Sequence, residues 1–214
     1  MRNYLFRNPQ FFSWIYSHSV WNLKDELQAI YLTFDDGPTP EVTEYVLDQL
    51  NQYDAQATFF CVGENIEKNP SIIDRINSQG STIGNHTFDH ERGIKSSKTD
   101  YLKSVERCNL ALGNLGISSR LFRPPYGSLS LTQHKEITQN GYRVIFWSHL
   151  SGDFDHKLNI EESLKSLKKA KAGSVLLFHD SLNAFANLRV LLPEVLKHFS
   201  SLGFTFKKIP NHVH

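Results

Sequence analysis

Two adjacent carboxylates and a pair of histidines are the residues in this sequence best suited to chemistry. Asp35 and Asp36 directly follow an apolar run, and His86 and His90 stand four positions apart in a polar stretch. Neighbouring carboxylates repel each other unless a cation or a proton lies between them. Two imidazoles and one carboxylate suit zinc or a similar divalent ion, and this set leaves positions open for water and substrate. The spacing of the histidines alone is weak evidence, but this set of donors after predicted strands predicts a hydrolytic metal site, although the aspartates could instead form an ordinary turn with the Gly-Pro pair after them.

An arginine and a further histidine extend the set of candidates. Arg123 stands in a proline-stiffened turn, where it could keep a carboxylate ionised and oriented through bidentate contacts. His179 ends an apolar run and has an acid, Asp180, beside it. Each has an ordinary alternative, namely a surface arginine on a rigid loop and a core or rim histidine whose hydrogen bonds are satisfied.

All of these residues follow predicted strands. Short apolar runs alternate with segments of helical period along most of the chain, which is typical of βα units and a largely parallel sheet. We predict strands at 29–34, 57–62, 82–84, 121–122, 143–147, 175–178 and 204–206, and helices near 40–50, 70–80, 100–115, 131–140, 160–171 and 187–200. This is about one strand short of the standard βα barrel, in which active sites collect where the strands end.

The sequence resembles the polysaccharide deacetylase family, also called carbohydrate esterase family four. The similarity runs from about residue 29 to residue 206 and includes the Thr-Phe-Asp-Asp-Gly-Pro motif and a His-Thr-x-x-His motif. It implies an α/β fold, a distorted (β/α) barrel of about seven βα units. It also implies Asp35 as general base and Asp36, His86 and His90 as ligands of a divalent metal ion, usually zinc, with cobalt active in some members.

Two further motifs match the family. Arg123, Pro125 and Tyr126 fit its Arg-x-Pro-[Tyr/Phe] motif. The resemblance implies that the arginine orients the base and that the backbone N–H of Tyr126 helps to hold an oxyanion. His179 fits the closing Leu-x-His motif as general acid, with Leu177 lining the pocket for the acetyl group.

One motif departs from the family pattern. The family usually carries Asp-x-x-Asp-Trp after the fifth-strand region, whereas here Leu150 replaces the first acid and Phe154 replaces the tryptophan. Asp153 remains available to bind His179 and bias its pKa, with Asp155 as a shifted alternative. Phe154 can still form an apolar wall of the substrate groove. These changes affect substrate contacts and pH behaviour more than the class of reaction.

The resemblance implies an enzyme, a metal-dependent hydrolase that removes N-acetyl groups from a glycan containing N-acetylglucosamine and releases acetate. Peptidoglycan and chitin-type glycans both fit, so the partner that we expect is an acetylated glycan, bound by a monomer. The alternatives are hydrolysis of an O-acetyl ester or a non-sugar amide, and a non-catalytic glycan-binding module. Loss of the base or of the acid would have favoured the module, and both are present.

The bulk properties fit one ordinary domain. The 214 residues suit a single large domain, and we predict an N-terminal extension at 1–28 packed on a catalytic domain at 29–214. A net charge of +1 gives no field that would attract nucleic acid, and no apolar run is long enough to span a membrane. We expect Cys61 and Cys108 to be reduced and buried. The first residues contain no recognisable signal peptide, which favours the cytoplasm over the cell envelope.

Overall fold

The central strand, β1 (Ala29–Asp35), is buried along its whole length in a computed structural model of the chain, which describes residues 6, 14–23 and 28–211. It pairs in parallel with β2 (Thr58–Cys61) on one side and with β7 (Val175–His179) on the other. Parallel strands that are covered on both faces carry near-continuous apolar runs, and these three strands have that composition.

Shorter strands extend the sheet on both sides of these three. They are β3 (Thr82–Asn85), β4 (Leu121–Phe122), β5 (Arg143–Val144), β6 (His149–Leu150) and β8 (Thr205–Phe206). The strand order is β5-β4-β3-β2-β1-β7-β6, with β8 paired to the start of β1, and the paired strands run parallel. The predicted α/β class, a distorted barrel of βα units, is confirmed.

Helices connect the strands. They are α1 (Val42–Asn51), α2 (Gly63–Lys68), α3 (Pro70–Ser78), α4 (Lys98–Asn114), α5 (Leu131–Gln139), α6 (Ile160–Leu167) and α7 (Phe185–Ser201), with short 3-10 helices at Gly93–Lys95 and Pro125–Gly127. Side-chain caps begin three of them, because Ser97, Ser130 and Asn159 each accept a hydrogen bond from a backbone N–H in the first turn.

The alternation of side chains along β1 separates the core from the candidate site. Leu32 and Phe34 belong to the large apolar cluster that includes the buried faces of the helices, whereas Tyr31 belongs to a smaller cluster on the opposite face. Successive side chains of a strand point to opposite faces. Asp35 therefore continues the row of Tyr31 and reaches the end of the strand on the face away from the main core.

Several elements differ from the prediction. The strand predicted at 143–147 ends at Val144, and β6 was not predicted, because a two-residue strand has no periodicity to detect. Helix α2 was also missed, since its six residues bury only Gly63 and Ile66. Helix α1 begins at Val42 instead of residue 40, and the N-cap is Glu41. Helix α6 ends at Leu167, whereas the prediction extended it to residue 171.

The described N-terminal residues contact both edge strands of the sheet. Val20 forms a parallel bridge with Ile145, directly after β5. On the other edge, the backbone N–H of Leu150 in β6 donates to the carbonyl oxygen of Phe6, 2.8 Å away. The remainder of the predicted extension at 1–28, residues 1–5, 7–13 and 24–27, lies outside the described residues, as do residues 212–214.

The two cysteines are free and buried, as predicted. Burial raises the pKa of the Cys61 thiol and raises that of Cys108 to about 12, so both stay protonated and unreactive. Among the helices that the structure describes, none is both long and apolar enough to cross a bilayer.

Candidate metal and catalytic centre

The parallel register brings the candidate residues to one level of the sheet. Asp35 of β1 is paired directly with His179 of β7. The last residues of β3 and β4 are likewise paired with each other, so His86 and Arg123, which follow them, start at a common level. The carboxyl ends of parallel strands are where α/β proteins place their sites. Four segments far apart in the sequence therefore meet at the carboxyl ends of the strands.

Asp36, His86 and His90 form one group of possible metal ligands. One donor atom from each lies within 4.8 Å of the others. Asp36 Oδ1 is 3.1 Å from Nε2 of His90 and 3.8 Å from Nε2 of His86. Burial opposes the ionisation of Asp36, but the hydrogen bond from His90 and the charges of nearby histidines hold its pKa well below its usual range. An ionised carboxylate and two imidazoles this close together are a donor set that zinc accepts.

The surroundings of His86 leave its Nε2 atom available to a metal ion. Its Nδ1 lies 2.7 Å from the carbonyl oxygen of Arg123, which can only accept a hydrogen bond, so Nδ1 carries the proton. Burial lowers the pKa of His86 to about 4. The ring is therefore neutral near pH 7, with the lone pair on Nε2. Metal-binding histidines are commonly oriented in this way by a hydrogen bond to the other nitrogen.

The loop after β1 is fixed by hydrogen bonds from two asparagines, one in α2 and one directly after it, that were not predicted to lie at the site. The Asn65 amide of α2 donates to the carbonyl oxygen of Asp36 at 2.7 Å. The Asn69 amide donates to that of Pro38 at 3.3 Å. Helix α2, which was missed, thus helps to set the position of a candidate ligand.

Asp180 also anchors the loop after β1, and no role was predicted for it. Its carboxylate accepts hydrogen bonds from the Gly37 N–H at 3.0 Å and from the Thr43 hydroxyl at 2.6 Å. Its own N–H donates to the carbonyl oxygen of Asp35 at 3.0 Å. Burial and the nearby Asp36 raise the pKa of Asp180 to about 7. Its place directly after His179 was the available sign that it belongs to the centre.

Arg123 is fully buried and bound to Asp35. Its Nη1 donates to Asp35 Oδ1 at 2.7 Å and lies 2.8 Å from the Thr33 hydroxyl oxygen. Its Nε and Nη2 donate to the carbonyl oxygens of Ile145 and Phe146 at 3.1 and 3.0 Å. A buried ion pair is tolerated when its remaining donors are satisfied in this way. The surface-arginine alternative is therefore wrong. The guanidinium orients Asp35 through one hydrogen bond, so the predicted bidentate contact is wrong, because its other nitrogens bind backbone carbonyls.

His179 is paired with Asp153. Its Nδ1 is 2.7 Å from Asp153 Oδ1, and its backbone N–H donates to Oδ2 at 2.8 Å. Burial alone would lower the pKa of His179, but the charge and hydrogen bond of Asp153, with smaller contributions from other carboxylates, raise it to about 9. The shifted alternative, Asp155, instead accepts from the backbone N–H of Lys157. Phe154 lies edge-on to the His179 ring, with centroids 5.2 Å apart.

The remaining predicted residues lie around this centre. Tyr126 has a φ of 60°, its ring is 4.8 Å from that of His90, and its backbone N–H donates to no atom of the described residues. Pro125 begins the short 3-10 helix that contains Tyr126. Leu177 is buried in β7 and paired with Leu150 of β6, the residue that replaces the first family aspartate.

A match to a known family covers more than half of the chain. Residues 23–145 match the sequence profile described as polysaccharide deacetylase. The chain belongs to the polysaccharide deacetylase family. The family predicted from the motifs is therefore confirmed, and the metal-ligand candidates lie within the matched range.

Relatives of this polysaccharide deacetylase act on acetylated glycans, according to their names. It is 31% identical over 204 residues to a peptidoglycan-N-acetylglucosamine deacetylase of Bacillus cereus, covering 94% of this chain and 74% of the relative. It is 36% identical over 156 residues to a chitooligosaccharide deacetylase of Azorhizobium caulinodans, covering 71% of this chain and 73% of the relative. A crystal structure of a peptidoglycan N-acetylglucosamine deacetylase superposes with a TM-score of 0.86 at 30% identity, over 95% of each chain. The predicted enzyme class is confirmed.

Proposed function

We propose that this polysaccharide deacetylase removes the N-acetyl group from N-acetylglucosamine residues of peptidoglycan and releases acetate. One observation carries the proposal: the strand ends that bring Asp36, His86 and His90 together also carry a carboxylate held by an arginine and a histidine held by a carboxylate. This arrangement supplies a metal site, a base and an acid at the carboxyl ends of the strands. The peptidoglycan deacetylases among the relatives support the choice of glycan.

We propose zinc as the ion that Asp36, His86 and His90 hold. The donor set fits, because two imidazoles and one carboxylate are a common set of protein ligands at catalytic zinc sites. The chemistry that such an ion would supply there is polarisation of the acetyl carbonyl and a lower pKa of the attacking water.

Asp35 is the base in this proposal. Its Oδ1 is occupied by Arg123 at 2.7 Å, whereas its Oδ2 lies 3.8 Å from His86 Nε2, on the side of the metal cluster. The arginine holds one oxygen of the carboxylate by a charge-assisted hydrogen bond, and the second oxygen takes the proton of the attacking water.

His179 is the acid. Because Asp153 holds the proton on Nδ1 and raises the pKa of the ring, His179 is charged near neutral pH and its Nε2 carries a proton for the leaving sugar amine. The Tyr126 N–H, which has no acceptor among the described residues, is available to the oxyanion that forms when water attacks the amide. Leu177 and Phe154 supply apolar surface for the acetyl group and the groove wall.

Acetate release from matched substrates tests this proposal. We expect zinc-loaded protein to release acetate from peptidoglycan fragments and N-acetylglucosamine oligomers, and Asp35→Asn to lower the rate at least about 100-fold, because it removes the base. Asp74→Asn, which changes an exposed carboxylate on α3, is the control and should keep the wild-type rate. Release from O-acetylated glycans alone would establish the esterase alternative instead, and an active Asp35→Asn variant would refute the role of Asp35.

A further inference from the structure

An arginine outside the candidate centre lies on its rim. The guanidinium carbon of Arg92 is 4.3 Å from the centroid of the Tyr126 ring. The same ring contacts that of His90, with centroids 4.8 Å apart. Arg92 is exposed, and Tyr126 leaves 59% of its surface exposed. An exposed cation therefore rests on an exposed ring beside a candidate metal ligand.

Arg92 forms no ion pair with any of the described residues. Arg75 and Arg123 are paired with carboxylates, but no described carboxylate forms an ion pair with Arg92. The contact with Tyr126 uses one face of the guanidinium and leaves the N–H donors at its edge free. A guanidinium with a free edge binds a carboxylate through two parallel hydrogen bonds. The position and the unused donors together suit an anionic group on a bound substrate.

We propose that Arg92, held by Tyr126, binds a carboxylate of the glycan on a sugar next to the one that loses its acetyl group. This inference rests on the proposed function, which places the reacting sugar at the metal cluster. Peptidoglycan alternates N-acetylglucosamine with a sugar whose lactyl group ends in a free carboxylate where no stem peptide is attached, whereas chitin-type oligomers carry no carboxylate. Arg92 therefore favours the anionic glycan over the neutral one.

The experiment compares an anionic and a neutral glycan of equal length. Acetate release is measured for a peptide-free peptidoglycan tetrasaccharide, whose lactyl carboxylates are free, and for N-acetylchitotetraose, with zinc-loaded wild type and Arg92→Gln. We expect Arg92→Gln to raise KM about tenfold for the peptidoglycan fragment, as is typical for loss of one charge-assisted contact, and to leave kcat unchanged. Both constants for N-acetylchitotetraose should stay at the wild-type values. Arg92→Lys keeps the charge but cannot form two parallel hydrogen bonds, so its KM for the peptidoglycan fragment should lie between those of wild type and Arg92→Gln.

Arg120→Gln is a matched control for this substitution. Arg120 is also exposed and also lies over a tyrosine ring, that of Tyr142 at 5.7 Å. It directly precedes β4, however, and so lies at the amino-terminal end of that strand, away from the candidate centre at the carboxyl ends. Arg120→Gln should leave kcat and KM unchanged for both tetrasaccharides. Raising the salt concentration should reduce the difference between wild type and Arg92→Gln on the anionic fragment, because exposed charges are screened.

Equal effects of Arg92→Gln on both glycans, or no effect on either, would overturn the inference while leaving the deacetylase function intact. Direct binding of the two tetrasaccharides to wild type and Arg92→Gln separates the two proposals further. If wild type releases no acetate from either glycan, the proposed function fails. Tighter binding of the anionic fragment that is lost in Arg92→Gln would still support the carboxylate contact, and equal binding would overturn it.

Discussion

Replacing Asp153 by asparagine isolates the group that keeps His179 protonated. Asparagine has the same shape, and its side-chain oxygen can still accept the His179 N–H that now bonds to Asp153 Oδ2 at 2.8 Å. The negative charge 2.7 Å from His179 Nδ1 is lost. The substitution therefore removes the electrostatic effect while leaving the backbone of the loop in place.

The structure sets the size of the expected change. With Asp153 in place the pKa of His179 is about 9, against an ordinary value of 6.5, and burial would lower it further without that charge. A bound metal ion lowers the pKa in both proteins, so the difference of about two pH units or more is the quantity predicted. The acid works only when protonated, so activity falls as pH rises through this pKa. One pH unit below the alkaline midpoint of the wild type, about 90% of its His179 is protonated, but only about 3% in a variant whose pKa is 2.5 lower.

The assay is the pH dependence of kcat for acetate release with zinc-loaded wild type and Asp153→Asn. We expect the alkaline limb of the variant to move to lower pH by about 2.5 units, with about a thirtyfold loss of rate one pH unit below the wild-type midpoint. An NMR titration of the His179 ring in metal-free protein measures the same shift directly. An alkaline limb at the same pH in both proteins, with the NMR titration also unchanged, would refute the assignment of His179 as an acid tuned by Asp153.

Three further outcomes follow from the contacts of the site. Arg123→Gln leaves Asp35 buried without its cation, so we expect unfolding free energy to fall by about 3–5 kcal/mol in urea denaturation, together with loss of acetate release. Gly37→Ala places a Cβ in steric overlap with the Asp180 carboxylate and should destabilise the chain by about 1–3 kcal/mol. Gly113→Ala, with nothing within 4 Å of its Cβ, should be neutral or stabilising. Zinc at 100 times its Kd should raise the unfolding free energy by about 2.7 kcal/mol, and a chelator should remove this gain; no change in thermal or urea unfolding on adding zinc would contradict the metal site.

The parts of the fold that could be predicted are those whose information is local. The apolar run of β1 and the carboxylates that end it follow from composition and from turn residues, and the structure has them at Ala29–Asp35 and Asp36. The long amphipathic helices were also predictable, since α4 repeats its buried residues at helical spacing. Family motifs then located the remaining candidates without any knowledge of the sheet order.

The parts that could not be predicted depend on contacts between distant segments. Strand β6 exists because His149 and Leu150 pair with β7, and two residues carry no period. The contact of Asn65 with the Asp36 carbonyl spans 29 residues and involves a polar side chain that has many ordinary roles. The sequence shows Asp180 beside His179, but only the register of β1 against β7 brings it next to the loop that follows β1.

The central claim is that the Asp36, His86 and His90 cluster holds a metal ion which acts together with Asp35. It is tested most directly by titrating zinc into metal-stripped wild type and Asp35→Asn while measuring both zinc binding and acetate release from N-acetylglucosamine oligomers. We predict that wild-type activity rises in proportion to one bound zinc ion, and that Asp35→Asn binds zinc yet stays inactive. Wild-type protein that binds zinc without any change in acetate release, or an Asp35→Asn variant as active as wild type, would contradict the account.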